Sequence, residues 1–154
     1  MGLDMYLSAK RYLSKYFKES DSGTIESINS LFGLEGDEDG DYGAKEVTFR
    51  AAYWRKANAI HQWFVENVQD GKDDCNEYFV SKEQLKSLLE LCELILANPK
   101  KAKEQLPTTS GFFFGSTEYD EFYMQDIEYT VTRLKRILED EAFAKAEFYY
   151  QASW

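Results

Sequence analysis

The stretch Leu3-Asp4-Met5-Tyr6-Leu7-Ser8-Ala9 places Leu3, Met5 and Leu7 on one side of an extended chain. Alternation with a period of two is the signature of a strand that buries one face. The same period recurs at Val47, Phe49, Ala51 and Tyr53, and again at Phe148, Tyr150, Ala152 and Trp154. The sequence therefore predicts a small, mainly antiparallel sheet made of N-terminal, central and C-terminal strands.

Helical patterns fill most of the chain between these strands. Apolar residues three and four apart predict longer helices over about 57–68, 81–96 and 118–138, with two shorter helical pieces between Arg11 and Phe32. The stripe of the first short piece is Leu13, Tyr16 and Phe17. Ser81 and Gln84 form a capping box at the start of the second long helix. We expect one α+β domain, residues 1–154, in which about three longer helices pack against the sheet.

Composition excludes several classes of protein. Of the 154 residues, 44% are apolar and 16% aromatic, which suits a folded domain with a substantial core. The formal net charge of −10 argues against sequence-independent binding to duplex nucleic acid, which requires clustered Lys and Arg. We find no signal-peptide pattern and no membrane-spanning apolar stretch. Two cysteines make no disulfide framework, so we expect a reduced, cytoplasmic protein.

The segment GLEGDEDGDYGAK, residues 33–45, is rich in glycine and acid and predicts an exposed, flexible loop. Over 35–46, acids at positions one, three, five and twelve and glycine at six match the spacing of a calcium loop. However, Glu35 replaces the usual Asp, Tyr42 stands at position eight, and a strand pattern follows. A solvated acidic loop is the favoured interpretation, and calcium binding is the alternative.

The cysteines and the single histidine do not predict a zinc site. His61, Cys75 and Cys92 lack the close pair spacing that such sites have. Cys92 falls on the apolar stripe of its helix, so we expect it in the core. We predict no metal and no cofactor.

The segment YWRKANAIHQWF, residues 53–64, is the first candidate site. On a helix, one stripe beside the core would hold Trp54, Asn58, His61 and Val65. Arg55 and Lys56 would lie at the helix start, where cations oppose the helix dipole and a bound phosphate or carboxylate would explain them. The alternative is a histidine satisfied in the core among ordinary amphipathic aromatics.

The segment SGFFFGSTEYD, residues 110–120, is the second candidate site. Thr117 is expected to cap a helix that starts near Glu118, with Asp120 as its reciprocal partner. In one interpretation an anion lies against this helix start, and a phenyl ring stacks on a flat group beside it.

The other interpretation of this segment is a short buried strand. Phe113 would then face opposite to Phe112 and Phe114. Gly111 and Gly115 permit close backbone approach or unusual dihedral angles. The pattern favours neither interpretation.

Catalytic motifs are missing from the sequence, which has no G-x-S-x-G, no Walker loop and no paired cysteines. His61 remains as a lone candidate general base for a hydrolase. We therefore expect binding rather than catalysis and keep hydrolysis through His61 as a third hypothesis.

Four stretches resemble a family of small proteins encoded by bacteriophages and prophages. They are MGLDMYL at 1–7, YWRKANAIH at 53–61, GFFFGSTEYD at 111–120 and YYQASW at 149–154. The resemblance covers most of the chain but not residues 33–45, and it brings no established activity or site residues. It implies the cytoplasm of an infected bacterium and a part in countering host defences, by analogy with proteins that sequester nucleotide signals or block a defence enzyme.

The favoured hypothesis is a non-enzymatic protein that sequesters a small nucleotide-like or phosphorylated ligand. The expected contact residues are Trp54, Arg55, Lys56, Asn58, His61, Phe112, Phe114, Ser116 and Tyr119. Aromatic rings would stack on a base, cations and a hydroxyl would meet phosphate, and Asn58 and His61 would recognise polar edges. The alternative is an acidic inhibitor that binds a host defence protein and mimics DNA charge through Glu35–Asp41. The aromatic surplus also permits a homo-oligomer.

Overall fold

The computed structural model describes residues 2–16, 21–34 and 43–154, and their elements have the predicted α+β class. The strands are β1 (Asp4–Tyr12), β2 (Glu46–Arg55), β3 (Tyr78–Val80) and β4 (Glu147–Ser153). The helices are α1 (Ser22–Leu31), α2 (Asn58–Asn67), α3 (Lys82–Ala97), α4 (Ala102–Gln105) and α5 (Glu121–Glu139). Short 3₁₀ turns occupy Pro99–Lys101 and Glu141–Phe143.

The sheet has the strand order β2-β1-β4-β3, and every neighbouring pair is antiparallel. β1 lies inside the sheet, where Met5 is opposite Trp54 of β2 and Ala152 of β4. The predicted alternation is confirmed in β1 and β4, where the buried residues are Met5, Leu7 and Ala9 of β1 and Phe148, Tyr150 and Ala152 of β4. It is wrong for β2, where Phe49 is exposed and Ala52 and Trp54 are buried, and the register of β2 on β1 shifts between Leu7 and Ser8. The buried side chains form the sheet's contribution to the core.

β1 runs further than its sequence pattern indicates, and the first short helix predicted after it is wrong. Residues 13–16 are not helical. The backbone N–H of Leu13 donates to the carbonyl of Lys45 at 2.8 Å, so cross-strand hydrogen bonding replaces helical bonding. Leu13 is buried, Tyr16 is exposed, and Phe17 lies outside the described residues. The second short piece is present as α1.

α2, α3 and α5 supply the helical side of the core. The predicted capping box is confirmed, because Ser81 Oγ accepts from Gln84 N–H at 3.1 Å and Gln84 Oε1 accepts from Ser81 N–H at 2.9 Å. The buried stripes are Leu85, Leu88, Cys92 and Ile95 of α3 and Tyr123, Ile127, Val131 and Leu134 of α5. Within the described ranges, no helix has both the length and the apolar character that a bilayer crossing requires.

α5 begins at Glu121, three residues later than predicted, because its cap is Asp120 and not Thr117. The carboxylate of Asp120 accepts from Phe122 N–H at 3.0 Å and from Tyr123 N–H at 3.1 Å. A charged acceptor is favoured at the positive end of a helix. The carbonyl of Thr117 instead accepts a hydrogen bond from the Thr108 hydroxyl.

The acidic loop predicted over 33–45 falls largely outside the described residues, since 35–42 are not among them. The calcium-loop alternative and the charge mimicry assigned to Glu35–Asp41 rest on the same residues. Both remain predictions.

Replacing Ser81 with Ala should lower the free energy of unfolding by about 1 kcal/mol, because the Gln84 N–H loses its acceptor. Urea denaturation measures this change. The control is Ser87→Ala on the exposed face of the same helix, which should shift stability by less than about 0.5 kcal/mol. Equal losses in the two variants would contradict the capping role.

Candidate functional site

Segments that are distant along the chain meet where β1 begins. The N–H of Leu3 donates to the carbonyl of Phe113 at 3.1 Å, and the N–H of Lys56 donates to the carbonyl of Leu3 at 2.8 Å. Gly2 lies beside both candidate cations, because a Cβ at this position would stand 3.3 Å from Lys56 Cε and 3.9 Å from Arg55 Nε. The two candidate segments and the start of the chain therefore form one neighbourhood.

Asn58, in the first turn of α2, fixes the loop that carries the three phenylalanines. Its Nδ2 donates to the carbonyls of Phe114 at 3.0 Å and Ser116 at 2.8 Å, and its Oδ1 accepts from Thr109 N–H at 2.9 Å. The side chain is 3% exposed. Asn58 thus positions the loop, because its amide groups are engaged by the main chain, and its role in recognising a ligand stays a prediction.

Trp54 does not lie on the predicted helical stripe, because it belongs to β2. Its side chain is 2% exposed, and its Nε1 donates to Thr130 Oγ1 at 2.8 Å. The chain turns at Lys56, whose φ of 60° ends the strand, and α2 begins only at Asn58. The buried indole therefore has no open face for the predicted stacking of Trp54 on a ligand.

His61 is enclosed in the core and has no exposed surface. Its Nδ1 lies 2.7 Å from Tyr150 Oη and its Nε2 lies 3.1 Å from Asp73 Oδ1. Both contacts are satisfied when the tyrosine O–H donates to Nδ1 and Nε2–H donates to the carboxylate. Burial also raises the pKa of Tyr150.

The rings of Phe114 and Trp154 cover the imidazole, with centroids 5.2 and 6.0 Å from it. The structure therefore places His61 as the satisfied core histidine of the alternative interpretation. An enclosed imidazole has no path to a ligand or a substrate, so neither ligand recognition nor hydrolysis through His61 fits this arrangement.

The three phenylalanines form a turn rather than a buried strand, and they point to different surroundings. Phe114 is 8% exposed, and its ring folds back on Gly111, where a Cβ would stand 2.6 Å from the ring. Phe112 is 95% exposed and contacts Phe113 edge to face at 4.8 Å. The core covers the ring of Phe114, which leaves no open face for the predicted stacking on a ligand.

A cavity of about 360 Å³ opens at the N-terminus of α2. It is bounded by the end of β2, the first turn of α2, residues 115, 116 and 118, and the first two turns of α5. Of the nine predicted contact residues, the lining includes Arg55, Lys56, Asn58 and Ser116. The cavity therefore joins parts of both candidate segments.

The α2 end of the cavity presents unpaired N–H groups. Ala57, at the cap position, makes no side-chain capping bond. The N–H groups of Ala59 and Ile60 have no hydrogen-bond partner among the described residues, whereas that of Asn58 bonds to the carbonyl of Lys56. An uncapped helix N-terminus carries a partial positive charge that favours anions.

Both candidate cations lie at this helix end. The side chain of Arg55 is 61% exposed, with Nε 4.0 Å from Asp4 Oδ1. Lys56 has a left-handed backbone that is uncommon outside glycine, and its stem packs on Gly115, where a Cβ would stand 3.1 Å from Lys56 Cβ. Gly115 has φ of +86°, so a larger residue would be strained twice over.

Ser116 and Tyr119 also hold the loop in place. Ser116 Oγ accepts from Glu118 N–H at 3.1 Å, and Ser116 is one of the residues that line the cavity. Tyr119 Oη accepts from Thr108 N–H at 3.1 Å, and its ring packs 5.1 Å from that of Tyr123. Tyr119 therefore braces the loop and is not part of the cavity lining.

Sequence reasoning missed the α5 side of the cavity, which presents Phe122, Gln125 and Asp126. Phe122 is 72% exposed and offers an accessible ring. Burial, followed by the nearby charge of Asp120, raises the pKa of Asp126 from 3.8 to about 6. One signal for Asp126 was present in the sequence, since this acid directly precedes the inward residue Ile127 and lies one turn after Phe122.

Metal-binding residues do not cluster in the described part of the chain. Cys92 is fully buried, as predicted, and burial raises the pKa of its thiol to about 12. A thiol of that kind is protonated at neutral pH and is a poor metal ligand.

No match to this chain is found among protein-family models, curated proteins or solved structures. The function is therefore argued from the geometry of the cavity.

Replacing Asn58 with Ala should lower the free energy of unfolding by about 3 kcal/mol, because three backbone groups lose their partner. Hydrogen exchange should accelerate over residues 109–116. The control is Asn67→Ala on the same helix, which removes a single bond to the Trp63 carbonyl and should cost less than about 1 kcal/mol. Unchanged exchange in the Asn58 variant would contradict its positioning role.

Replacing Asp126 with Asn should stabilise the ligand-free protein by about 1 kcal/mol at pH 7.5, less than the whole pKa difference implies because the carboxyl stays partly hydrated. The folded state binds this proton more tightly than the unfolded state. Wild-type stability therefore falls relative to the variant as pH rises from about 4 to about 6. Urea unfolding at several pH values measures the difference in stability between the wild-type protein and the variant. A difference that does not change with pH would refute the raised pKa of Asp126.

Proposed function

We propose that this protein is a non-enzymatic binding protein that sequesters a small phosphorylated or nucleotide-like ligand in the cavity at the α2 N-terminus. One observation carries the proposal: Arg55, Lys56 and Ser116 line the same cavity as Ala59 and Ile60, whose N–H groups have no partner among the described residues. Backbone N–H groups at a helix start, together with cations, form the usual arrangement for holding phosphate.

Size and shape support a ligand no larger than a mononucleotide. A volume of about 360 Å³ is near the lower end of the range for small-molecule sites. The exposed ring of Phe122 on the lining supplies a stacking surface, in place of Trp54 and Phe114. Such a ligand would place its phosphate at α2 and a flat group against α5.

The charges around the cavity favour a ligand with few negative charges. Two cations, Arg55 and Lys56, share the lining with the carboxyl groups of Glu118, Asp120 and Asp126. A polyphosphate would be repelled by the three carboxyl groups at short range. A single phosphate group near α2 avoids most of that repulsion.

The biological setting belongs to the same proposal. The resemblance to bacteriophage and prophage proteins makes removal of a host nucleotide signal the role that we propose for sequestration. The enclosure of His61 argues against the third hypothesis, in which this histidine serves as the general base of a hydrolase.

Calorimetric titration with inorganic phosphate, AMP, cyclic AMP and a cyclic dinucleotide tests the proposal. We expect at least one nucleotide to bind. The Arg55→Gln substitution should lower the affinity for that nucleotide about tenfold, because a charge-assisted hydrogen bond is lost. The matched control is Arg50→Gln on the same strand. Arg50 lies over the rings of Tyr6 and Tyr53 and outside the cavity lining. The Arg50→Gln variant should therefore bind the ligand as tightly as the wild-type protein.

Mass spectrometry of small molecules released from protein purified out of a bacterial lysate extends the search beyond the panel. The proposal fails if no probe gives heat and no phosphorylated compound is released. It also fails if Arg55→Gln and Arg50→Gln weaken binding equally.

A further inference from the structure

The cavity at the α2 N-terminus brings unlike charges together without pairing them. Arg55 and Lys56 come from the end of β2, and Asp126 comes from α5. In the described part of the chain, no ion pair within 4.0 Å joins either cation to Asp126; the one short contact of Arg55 is with Asp4. Unlike charges that line one cavity and remain apart leave room for a molecule that contacts both.

The carboxyl group of Asp126 has no bonding partner in the described part of the chain. Its carboxyl is partly buried and makes no hydrogen bond with a described residue, although its backbone carbonyl accepts from Thr130. Asp120 differs, because its carboxylate already caps α5. The other charged groups on the lining are Glu118, Arg55 and Lys56. A buried carboxyl without a partner destabilises the free protein, and a bound cation or hydrogen-bond donor relieves that cost.

We infer that the ligand is a small zwitterion, with a phosphate group at the α2 N-terminus and a protonated amine or equivalent donor at Asp126. This inference rests on the proposed function, because it assigns the second half of the same ligand. The carboxyl selects ligands that carry a donor, and the cations select those that carry an anion. Molecules with only one of the two groups leave one side of the cavity uncompensated.

The probes are phosphoethanolamine and ethyl phosphate, which share a phosphate monoester and differ by one amine. Calorimetry at pH 7.5 and low salt should give phosphoethanolamine at least a tenfold higher affinity. Asp126→Asn should abolish that preference while leaving ethyl phosphate bound as before. The matched control is Glu128→Gln, an exposed residue of α5 outside the cavity lining, which should retain the full preference.

The preference for phosphoethanolamine over ethyl phosphate should also decline as pH falls from 7.5 to 5, because protonation of Asp126 removes its charge. Circular dichroism of the isosteric Asp126→Asn variant confirms that it is folded. Equal affinity of the two probes for the wild-type protein overturns this inference and leaves the proposed function standing. Absence of heat from both probes overturns the inference, while the nucleotide panel and the lysate experiment decide the proposed function separately.

Discussion

The buried amide of Asn58 is the interaction on which the candidate site depends. It reaches from the first turn of α2 to three main-chain groups of the loop between α4 and α5. A planar amide with fixed donors and acceptor allows that loop a single position. This position sets Gly115 against the stem of Lys56 and brings Ser116 onto the cavity lining. The loop side of the cavity therefore depends on a side chain whose own polar atoms are bonded to the main chain.

Several features around the cavity cost stability. α2 starts without a side-chain cap, Lys56 adopts a left-handed backbone, and Asp126 is desolvated without a partner. Each costs on the order of 1 kcal/mol in a protein that has only about 5–15 kcal/mol to lose. By contrast, α3 and α5 carry full side-chain caps. Left-handed backbones also occur at Asp70 and Cys75, and α1 also lacks a side-chain cap. What distinguishes the cavity is that these three costs meet in one place, as they often do at functional sites.

Much of the fold could be predicted from local pattern. The alternation in β1 and β4 and the capping box of α3 each depend on residues close together in sequence, and each is found in the structure. Trp54 was misplaced because the apolar spacing of residues 54–65 also fits a helix. What ends the strand is the backbone conformation of Lys56, held by a hydrogen bond to Leu3 far away in sequence.

The candidate site was predictable only in part, because some of its features are visible in the sequence and others depend on packing. Arg55, Lys56 and Ser116 were found because charge and hydroxyl chemistry are visible in sequence, and the structure brings them to one cavity. His61 and Phe114 could not be distinguished from ligand contacts, since their burial depends on the packing of Tyr150 in β4 and of Trp154 just after it. The residues that α5 contributes to the cavity depend on how the helices pack against the sheet. No local periodicity in the sequence predicts that packing.

The position of β4 has a consequence for how the protein is made. β4 is the only strand that joins β3 to the others in the described sheet, and its partner β1 lies far away in sequence. During synthesis β1 and β2 can pair early, but part of their apolar face stays exposed to solvent until β4 has also been made. High contact order of this kind slows folding and lengthens the exposure of aggregation-prone surface. The yield of folded protein in a cell is therefore expected to depend on chaperones that bind the incomplete sheet.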